Sequence, residues 1–243
     1  MFGENELYKF FKSLKFKEEF IIIHPDLLSF YQFKVKVDKF WEVLNFCIGS
    51  KKTYIVPTFN FKKSISWKCN ETPSESGYLT EYLRKISKKR TIHPIHSVSV
   101  LGPKFKEIPD HESLSSFGKN STWEWLCENN HVRNLSIGSE FIEGATICHY
   151  PEEKLQVPYR KYIKLKQKVF DKKNKQIKKF FLYFARKKGI ENNWSKCLRK
   201  LRKNKIILYK KNNLNIPIFS MNAASTTKFI IKELRKDNRF VIE

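Results

Sequence analysis

At 243 residues, with 41% hydrophobic and 15% aromatic residues, the chain carries too much apolar surface for a disordered protein and is long enough to bury a substantial core. No uncharged stretch approaches the roughly 20 residues of a membrane helix, and the N-terminal MFGENELYKFFKSLKFKEEF lacks the apolar core and small-residue cleavage site of a signal peptide. A soluble, cytoplasmic protein is therefore expected, and its formal charge of +24 is uneven: residues 1–157 hold 22 Lys+Arg against 19 Asp+Glu, whereas residues 158–243 hold 26 against 5.

The first predicted element is a helix over 4–17, where Leu7, Phe10, Phe11 and Leu14 recur at three- and four-residue spacing. Glu19 to His24 reads as a short strand apolar enough to be buried on both faces. Helical spacing returns over 36–48 through Val37, Phe40, Trp41, Leu44 and Ile48, and Gly49 stops it. Thr53–Phe59 is a second buried strand with Pro57 near its end; Ser97–Leu101 and Asn134–Gly138 are further strands. Thr122–Glu128 begins a helix with Ser121 as N-cap. Beyond it, 158–167 and 177–184 read as hairpin strands extending the sheet, 191–203 as a basic helix and 222–236 as a final helix. Strands alternating with helices predict an α/β fold, a layered sheet covered on both faces, with functional residues in loops at strand ends. No internal repeat is evident.

Three polar clusters stand at such ends: TPSESGYLTEYLRK (Thr72 to Lys85), RTIHPIHSVSVLGP (Arg90 to Pro103) and GATICHYPEE (Gly144 to Glu153). His93, His96, His111 and His149 fall between Thr72 and Glu153, with His131 the fifth of the six histidines there. A merely solvated surface would more often use Lys and Glu there, so the concentration points to chemistry. Five scattered cysteines without a Cys-x-x-Cys pair form neither a zinc pattern nor a disulfide framework. Cys148 adjoins His149, yet a buried small hydrophobe is the preferred reading over a nucleophile. There is no phosphate-binding Gly-rich motif of the Walker or GxGxxG type and no HExxH, so nucleoside triphosphatase, dinucleotide and metalloprotease chemistry are not expected, and no metal is expected.

Taken in order, IIIHPDLL, YIVPTFNF, TPSESGYLTEYLRK, RTIHPIHSVSVLGP, SSFGKNSTWEWL and the His-x-x-Glu-Glu of Cys148 to Glu153 followed by VPYR resemble the aminoglycoside 3-N-acetyltransferase family over residues 20 to about 165. The resemblance implies a three-layer α/β/α sandwich with a mixed central sheet, distinct from the GNAT acetyltransferases, and transfer of an acetyl or other acyl group from coenzyme A to an amine. It divides the chain into an acyl-CoA-binding catalytic core, 1–165, and a basic extension, 166–243, that completes the same domain on the acceptor side. It marks His149 as base and Glu152 as the carboxylate that orients it, with the choice between Glu152 and Glu153 open. His93 and Ser97 of the HPxxS segment, with His24 and Asp26 after the first buried strand, would line the coenzyme A arm. Phe117, Gly118 and Ser121 form a turn before a helix N-terminus, which can receive a phosphate. Glu81, Glu153 and Arg160 are assigned to the acceptor side, and Glu81 with Arg90 would form a buried pair holding two loops together.

The charge bears on the acceptor. Aminoglycosides are polycations and need carboxylate-lined clefts, whereas this chain is strongly basic, and Ile95 stands where many resistance enzymes of the family carry Asp. The reading is therefore acyl transfer to a nucleotide-linked amino sugar of bacterial surface polysaccharide, with an aminoglycoside as the alternative. The basic C-terminal region also permits peripheral membrane contact. A binding module for single-stranded nucleic acid, using Phe180, Phe181, Tyr183, Phe184 and Trp194 between cations, is the other class weighed, though nucleic acid is not the expected partner.

Overall fold

The side chains of Phe20 to Ile23 decide the architecture. All four are buried, and they alternate between two cores: Phe20 and Ile22 enter one, Ile21 and Ile23 the other. A strand with two apolar faces is stable only inside a sheet that is covered on both sides.

The computed structural model describes residues 3–62, 64–139, 141, 144–211 and 215–243. In chain order its elements are α1 (Glu4–Lys12), β1 (Phe20–Pro25), α2 (Val37–Ile48), β2 (Thr53–Pro57), β3 (Ser66–Lys68), α3 (Tyr78–Lys85), β4 (Lys89–Arg90), β5 (Val98–Leu101), α4 (Thr122–Glu128) and β6 (Val132–Ile137). There follow α5 (His149–Lys154), β7 (Arg160–Lys164), β8 (Lys168–Phe170), β9 (Gln176–Ile177), β10 (Leu182–Arg186), α6 (Trp194–Lys203), β11 (Ile207–Lys211), β12 (Pro217–Asn222) and α7 (Ala223–Lys236), with 3-10 turns at Leu28–Phe33 and Ala145–Cys148.

Seven strands form the central sheet in the order β11-β12-β6-β1-β2-β5-β4. The middle three, β6, β1 and β2, run parallel, with Phe20 opposite Val132 on one side and Thr53 on the other. The outer pairings, β12 to β6, β11 to β12, β2 to β5 and β4 to β5, are all antiparallel, so the sheet is mixed. One face carries Ile21, Ile23, Tyr54, Val56, Leu135 and Ile137 against Leu7, Phe11, Phe40, Leu44 and Leu83 of α1, α2 and α3. The other carries Phe20, Ile22, Ile55, Val98 and Val132 against α4, α6 and α7 through Trp123, Leu126, Leu201, Ile230 and Leu234. This is the three-layer α/β/α sandwich that the family resemblance implies.

Local rules account for several boundaries. Gly49 caps α2 at a φ of 135°, a conformation costly for other residues. The Ser121 hydroxyl accepts the Glu124 N–H at 2.9 Å and opens α4. The helix predicted over 4–17 stops at Lys12, although Leu14 still reaches the same core through a turn closed by its N–H on the Phe11 carbonyl.

The C-terminal part differs more. The strands predicted over 158–167 and 177–184 do pair, as β7 with β10, but they form a separate two-stranded sheet and do not extend the central one. Between them β8 and β9 join β3 in a small third sheet around Trp67, Val169 and Phe181. The central sheet is instead extended by β12 and β11, a hairpin that apolar spacing did not reveal. Both strands come from the basic half of the chain, so residues on either side of 165 share one sheet and one core.

Candidate active site

Two cavities open at the C-terminal ends of the parallel strands, the usual place for ligands in α/β sheets. The larger, about 760 Å³, is lined by His24 near the end of β1 with Asp26 and Leu27 after it, Pro57 at the end of β2 with Phe59 after it, Ser76 to Thr80 at the start of α3, and Gly138 and Ser139 after β6. Gly138 is required there: its φ is 85°, and a Cβ would lie 2.7 Å from the Asp26 carbonyl. The smaller, about 210 Å³, is lined by Phe59, Phe61, His96, Phe117, Thr146, His149, Arg160, Tyr183, Phe184, Arg186 and Asn192. Phe59 lines both, so its side chain is a wall the two cavities share.

His149 starts α5, which places Glu152 one turn on along the same helix face. Its Nδ1 lies 2.5 Å from Glu152 Oε2. The carboxylate is fully buried, forms an ion pair with Arg160 Nη2 at 2.8 Å, and also accepts from Arg160 Nε at 2.9 Å and from the Tyr159 hydroxyl at 3.0 Å. Burial alone would raise the pKa of Glu152, but the hydrogen bond from His149 and the Arg160 charge outweigh it and hold the group below the ordinary carboxylate range. Nδ1 also lies 3.1 Å from Arg160 Nη2, which can only donate, but an ionised carboxylate only accepts and its contact at 2.5 Å is the shorter, so Nδ1 carries the imidazole proton and Nε2 keeps its lone pair on the cavity side. Burial lowers the His149 pKa, partly offset by Glu152, so the ring is neutral at pH 7. Trp194 packs edge-on at 5.5 Å and limits its rotation. The result is a neutral, oriented base facing the cavity, backed by a carboxylate and an arginine.

Glu153, the other candidate, turns away. It accepts from the Ser115 hydroxyl, from the Phe117 N–H at 3.3 Å and from the Tyr162 hydroxyl at 3.3 Å, and burial pushes its pKa up. It lines neither cavity and ties β7 to the 113–117 turn. Gly118 belongs to the same packing, since a Cβ would sit 2.4 Å from Ser115 Oγ and 2.7 Å from Ser113 Oγ.

The remaining predicted residues divide. His24 and Asp26 line the larger cavity; His24 Nε2 meets Asn134 Oδ1 at 3.0 Å, and Asp26 accepts the Leu28 N–H at 3.0 Å. Phe117 lines the smaller cavity. His93 and Ser97 are fully buried behind the walls; Ser97 Oγ donates to the Thr58 carbonyl at 2.8 Å and accepts from Arg90 Nε at 3.1 Å. Glu81 does not pair with Arg90. It takes both Nε and Nη2 of Arg84 at 2.8 Å, one helical turn away, while Arg90 bonds the carbonyls of Cys69, Thr72 and Thr58 and stacks over Trp67. Ser121 and the N-terminus of α4 face a separate groove with Asp110, Glu112, Glu124 and Glu128, an unfavourable place for a phosphate. Arg160, assigned to the acceptor, reaches the cavity but spends most of its donors on Glu152 and the Phe184 carbonyl. Cys148 is fully buried, and the Cys197 thiol beside it together with burial pushes its pKa far up, which removes thiolate chemistry.

Phe59, Phe61, His96, Tyr183, Arg186 and Asn192 were not anticipated as cavity residues. The second histidine of HPIHS was the available signal for His96. Phe181, Phe184 and Trp194 are in the cores, so the aromatics weighed for nucleic-acid stacking do not form an exposed platform. Among the described residues no group of three or more His, Cys, Asp or Glu is placed to hold a metal ion, and no helix is long and apolar enough to cross a membrane.

A family model described as aminoglycoside 3-N-acetyltransferase matches residues 22–235. Curated proteins gave no match by sequence. Among solved structures, the chain is similar to aminoglycoside acetyltransferase AAC(3)-IIb at a TM-score of 0.79 and 13% identity, covering 98% of each chain. It is similar to the YokD protein from Bacillus subtilis at 0.76 and 16%, covering 96% of this chain and 99% of that one. A third, AAC-VIa bound to sisomicin, matches at 0.75 and 14%, covering 97% and 98%.

Proposed function

Because the chain belongs to the aminoglycoside 3-N-acetyltransferase family, we propose that it transfers an acetyl group from acetyl-coenzyme A to an amine of an amino-sugar acceptor, with His149 as general base. The observation that carries this reading is the hydrogen-bonded His149–Glu152–Arg160 arrangement, whose free imidazole nitrogen faces a cavity that shares the Phe59 wall with a second, larger one.

The larger cavity suits the pantetheine arm of the donor: its lining is mostly apolar, and it lies at the carboxyl ends of β1, β2 and β6. His24 and Asp26 stand on its wall. The arm would bring its thioester past Phe59 to the smaller cavity. There His149 Nε2 takes a proton from the acceptor nitrogen as that nitrogen bonds to the thioester carbon. The carbonyl electron pair moves to oxygen, returns as the C–S bond breaks, and the thiolate leaves. Glu152 stabilises the imidazolium formed in the first step, and Arg160 prevents Glu152 from taking the proton itself.

The family description, and neighbours solved with sisomicin, gentamicin and apramycin, support an aminoglycoside as acceptor. A second reading rests on charge at the site. Among the described residues the catalytic cavity is lined by Arg160 and Arg186 and by no carboxylate. Among the described residues Arg186, on β10, pairs only with the largely exposed Glu191, so a polycation entering here meets like charge. This lining favours an acceptor bearing negative charge, such as a nucleotide-linked amino sugar used for surface polysaccharide.

Thiol release from acetyl-coenzyme A with a panel of nucleotide-linked amino sugars and with kanamycin decides between them. Turnover on a nucleotide sugar that falls on Arg186→Ala supports the anionic acceptor. Turnover confined to kanamycin supports the aminoglycoside, and release with neither would remove acyl transfer.

A further inference from the structure

His149 is not the only imidazole facing the catalytic cavity. His96 lines it too, packed edge-on at 4.9 Å against Phe59, the residue whose side chain lines both cavities. Its protonation can be read from the hydrogen bonds behind it. His93 Nδ1 accepts two backbone N–H groups, from Ile95 at 3.2 Å and His96 at 3.1 Å. It therefore has no proton on Nδ1, and neutral His93 carries its proton on Nε2. That Nε2–H reaches the Leu182 carbonyl at 3.4 Å and Ser116 Oγ at 3.3 Å. With its oxygen accepting from His93, Ser116 turns its own hydrogen to His96 Nδ1, 2.6 Å away. Nδ1 of His96 is thus an acceptor, and its proton sits on Nε2, toward the cavity.

The two cavity histidines therefore have opposite polarity: His149 presents a lone pair and His96 an N–H. We propose that His96 is a second catalytic residue, donating its Nε2–H to the thioester carbonyl oxygen and to the oxyanion that forms there, with Ser116 and His93 as the positioning residues that fix its tautomer. This role rests on the acyl-transfer reading above. The step balances without further reagents: the acceptor nitrogen gives its proton to His149 and bonds to carbon, the carbonyl pair settles on oxygen beside the His96 N–H, and on its return the C–S bond breaks. Burial, with His149 and His111 nearby, holds the His96 pKa well below its ordinary value. The ring therefore stays a neutral donor through the working pH range and does not compete with His149 for the proton. A donor fixed in place before the charge develops acts without reorganisation, and one such donor typically contributes about 10²–10³ in rate.

The test uses His96→Phe, which keeps an aromatic ring of similar size, and His96→Gln, which restores an N–H donor. With acetyl-coenzyme A labelled at the carbonyl carbon and bound to the protein, the thioester C=O stretch is expected at lower frequency in the wild type than in His96→Phe, with His96→Gln between them. In thiol-release assays kcat falls about 10²-fold or more in His96→Phe while the donor KM changes little, and His96→Gln recovers most of it. Nitrogen-15 NMR is expected to show His96 protonated at Nε2, and Ser116→Ala to mix the two tautomers. An unchanged C=O stretch and a kcat within threefold in a folded, donor-binding His96→Phe would overturn the role of His96 alone. Failure of the wild type to bind acetyl-coenzyme A overturns the acyl-transfer reading, and this role with it.

Discussion

Glu152→Gln separates the electrostatic role of the dyad from its shape. The substitution preserves size but gives one side of the group two N–H donors, where the structure holds donors on both sides: His149 Nδ1 and Arg160 Nη2 at one oxygen, Tyr159 OH and Arg160 Nε at the other. If the amide nitrogen faces His149, the imidazole must accept at Nδ1, and its proton moves to Nε2 where the base needs a lone pair. If it faces Tyr159, Arg160 loses a charged partner in a fully buried site. Breaking such a pair costs about 3 kcal/mol at the lower end of the usual range, because one acceptor oxygen survives. For a chain of this size that is a fall in Tm of about 6–12 °C. A wrong tautomer in a comparable histidine–carboxylate pair costs about 10⁴ in kcat. Scanning calorimetry and thiol release measure the two effects, with Glu153→Gln as the control: Glu153 does not touch His149, so its kcat should remain within about threefold. Glu152→Gln with kcat within tenfold of wild type would refute the assignment. The pH dependence has a definite sign. The folded pKa of Glu152 lies below its ordinary 4.5, so its stabilisation is present above pH 4.5 and is lost as pH falls through the folded value.

Buried neutral histidines make the fold acid-sensitive at higher pH than carboxylates do. Burial holds His24 and His111 at about 4 against an unfolded 6.5, so the unfolded state binds protons first, and each removes stability at about 1.4 kcal/mol per pH unit between 6.5 and 4. Urea midpoints should fall steadily across that window, and His24→Gln should flatten the slope; a pH-independent midpoint would show that these rings are not buried neutral. Gly118→Ala should cost about 1–3 kcal/mol, because the added methyl displaces Ser115 from Glu153; an unchanged Tm would contradict the packing of that turn.

The parts of this fold that were readable in the sequence are those governed by local rules. Four consecutive apolar residues at Phe20–Ile23 predict a strand buried on both faces, and Ser121 and Gly49 mark helix ends through one hydrogen bond and one backbone angle. The hairpin of β11 and β12 was hidden because β11 mixes Lys with apolar residues and the pair is stabilised by a neighbour, β6, more than 70 positions away in sequence. The third sheet was hidden because its strands have two or three residues and no period to read. At the site, the His-x-x-Glu spacing carries its own geometry once it lies on a helix, so His149 and Glu152 could be named. Direction was not readable: nothing in adjacent Glu152 and Glu153 says which turns inward, and in HPIHS the buried His93 and Ser97 support the wall while His96 faces the cavity. Glu81 took the arginine one turn away on its own helix over the distant Arg90, a competition that burial and loop path decide.

In the proposed reaction His149 removes the acceptor's proton during transfer from the thioester. Thiol release from acetyl-coenzyme A by wild type and His149→Ala, with the acceptor that the panel identifies and with donor binding followed by calorimetry, decides whether it does. The expected result is a kcat lower by about 10²–10⁴, donor affinity within about threefold, and in the wild type an acidic limb of kcat/KM below pH 6.5, because burial depresses the His149 pKa. Full turnover by His149→Ala would contradict it.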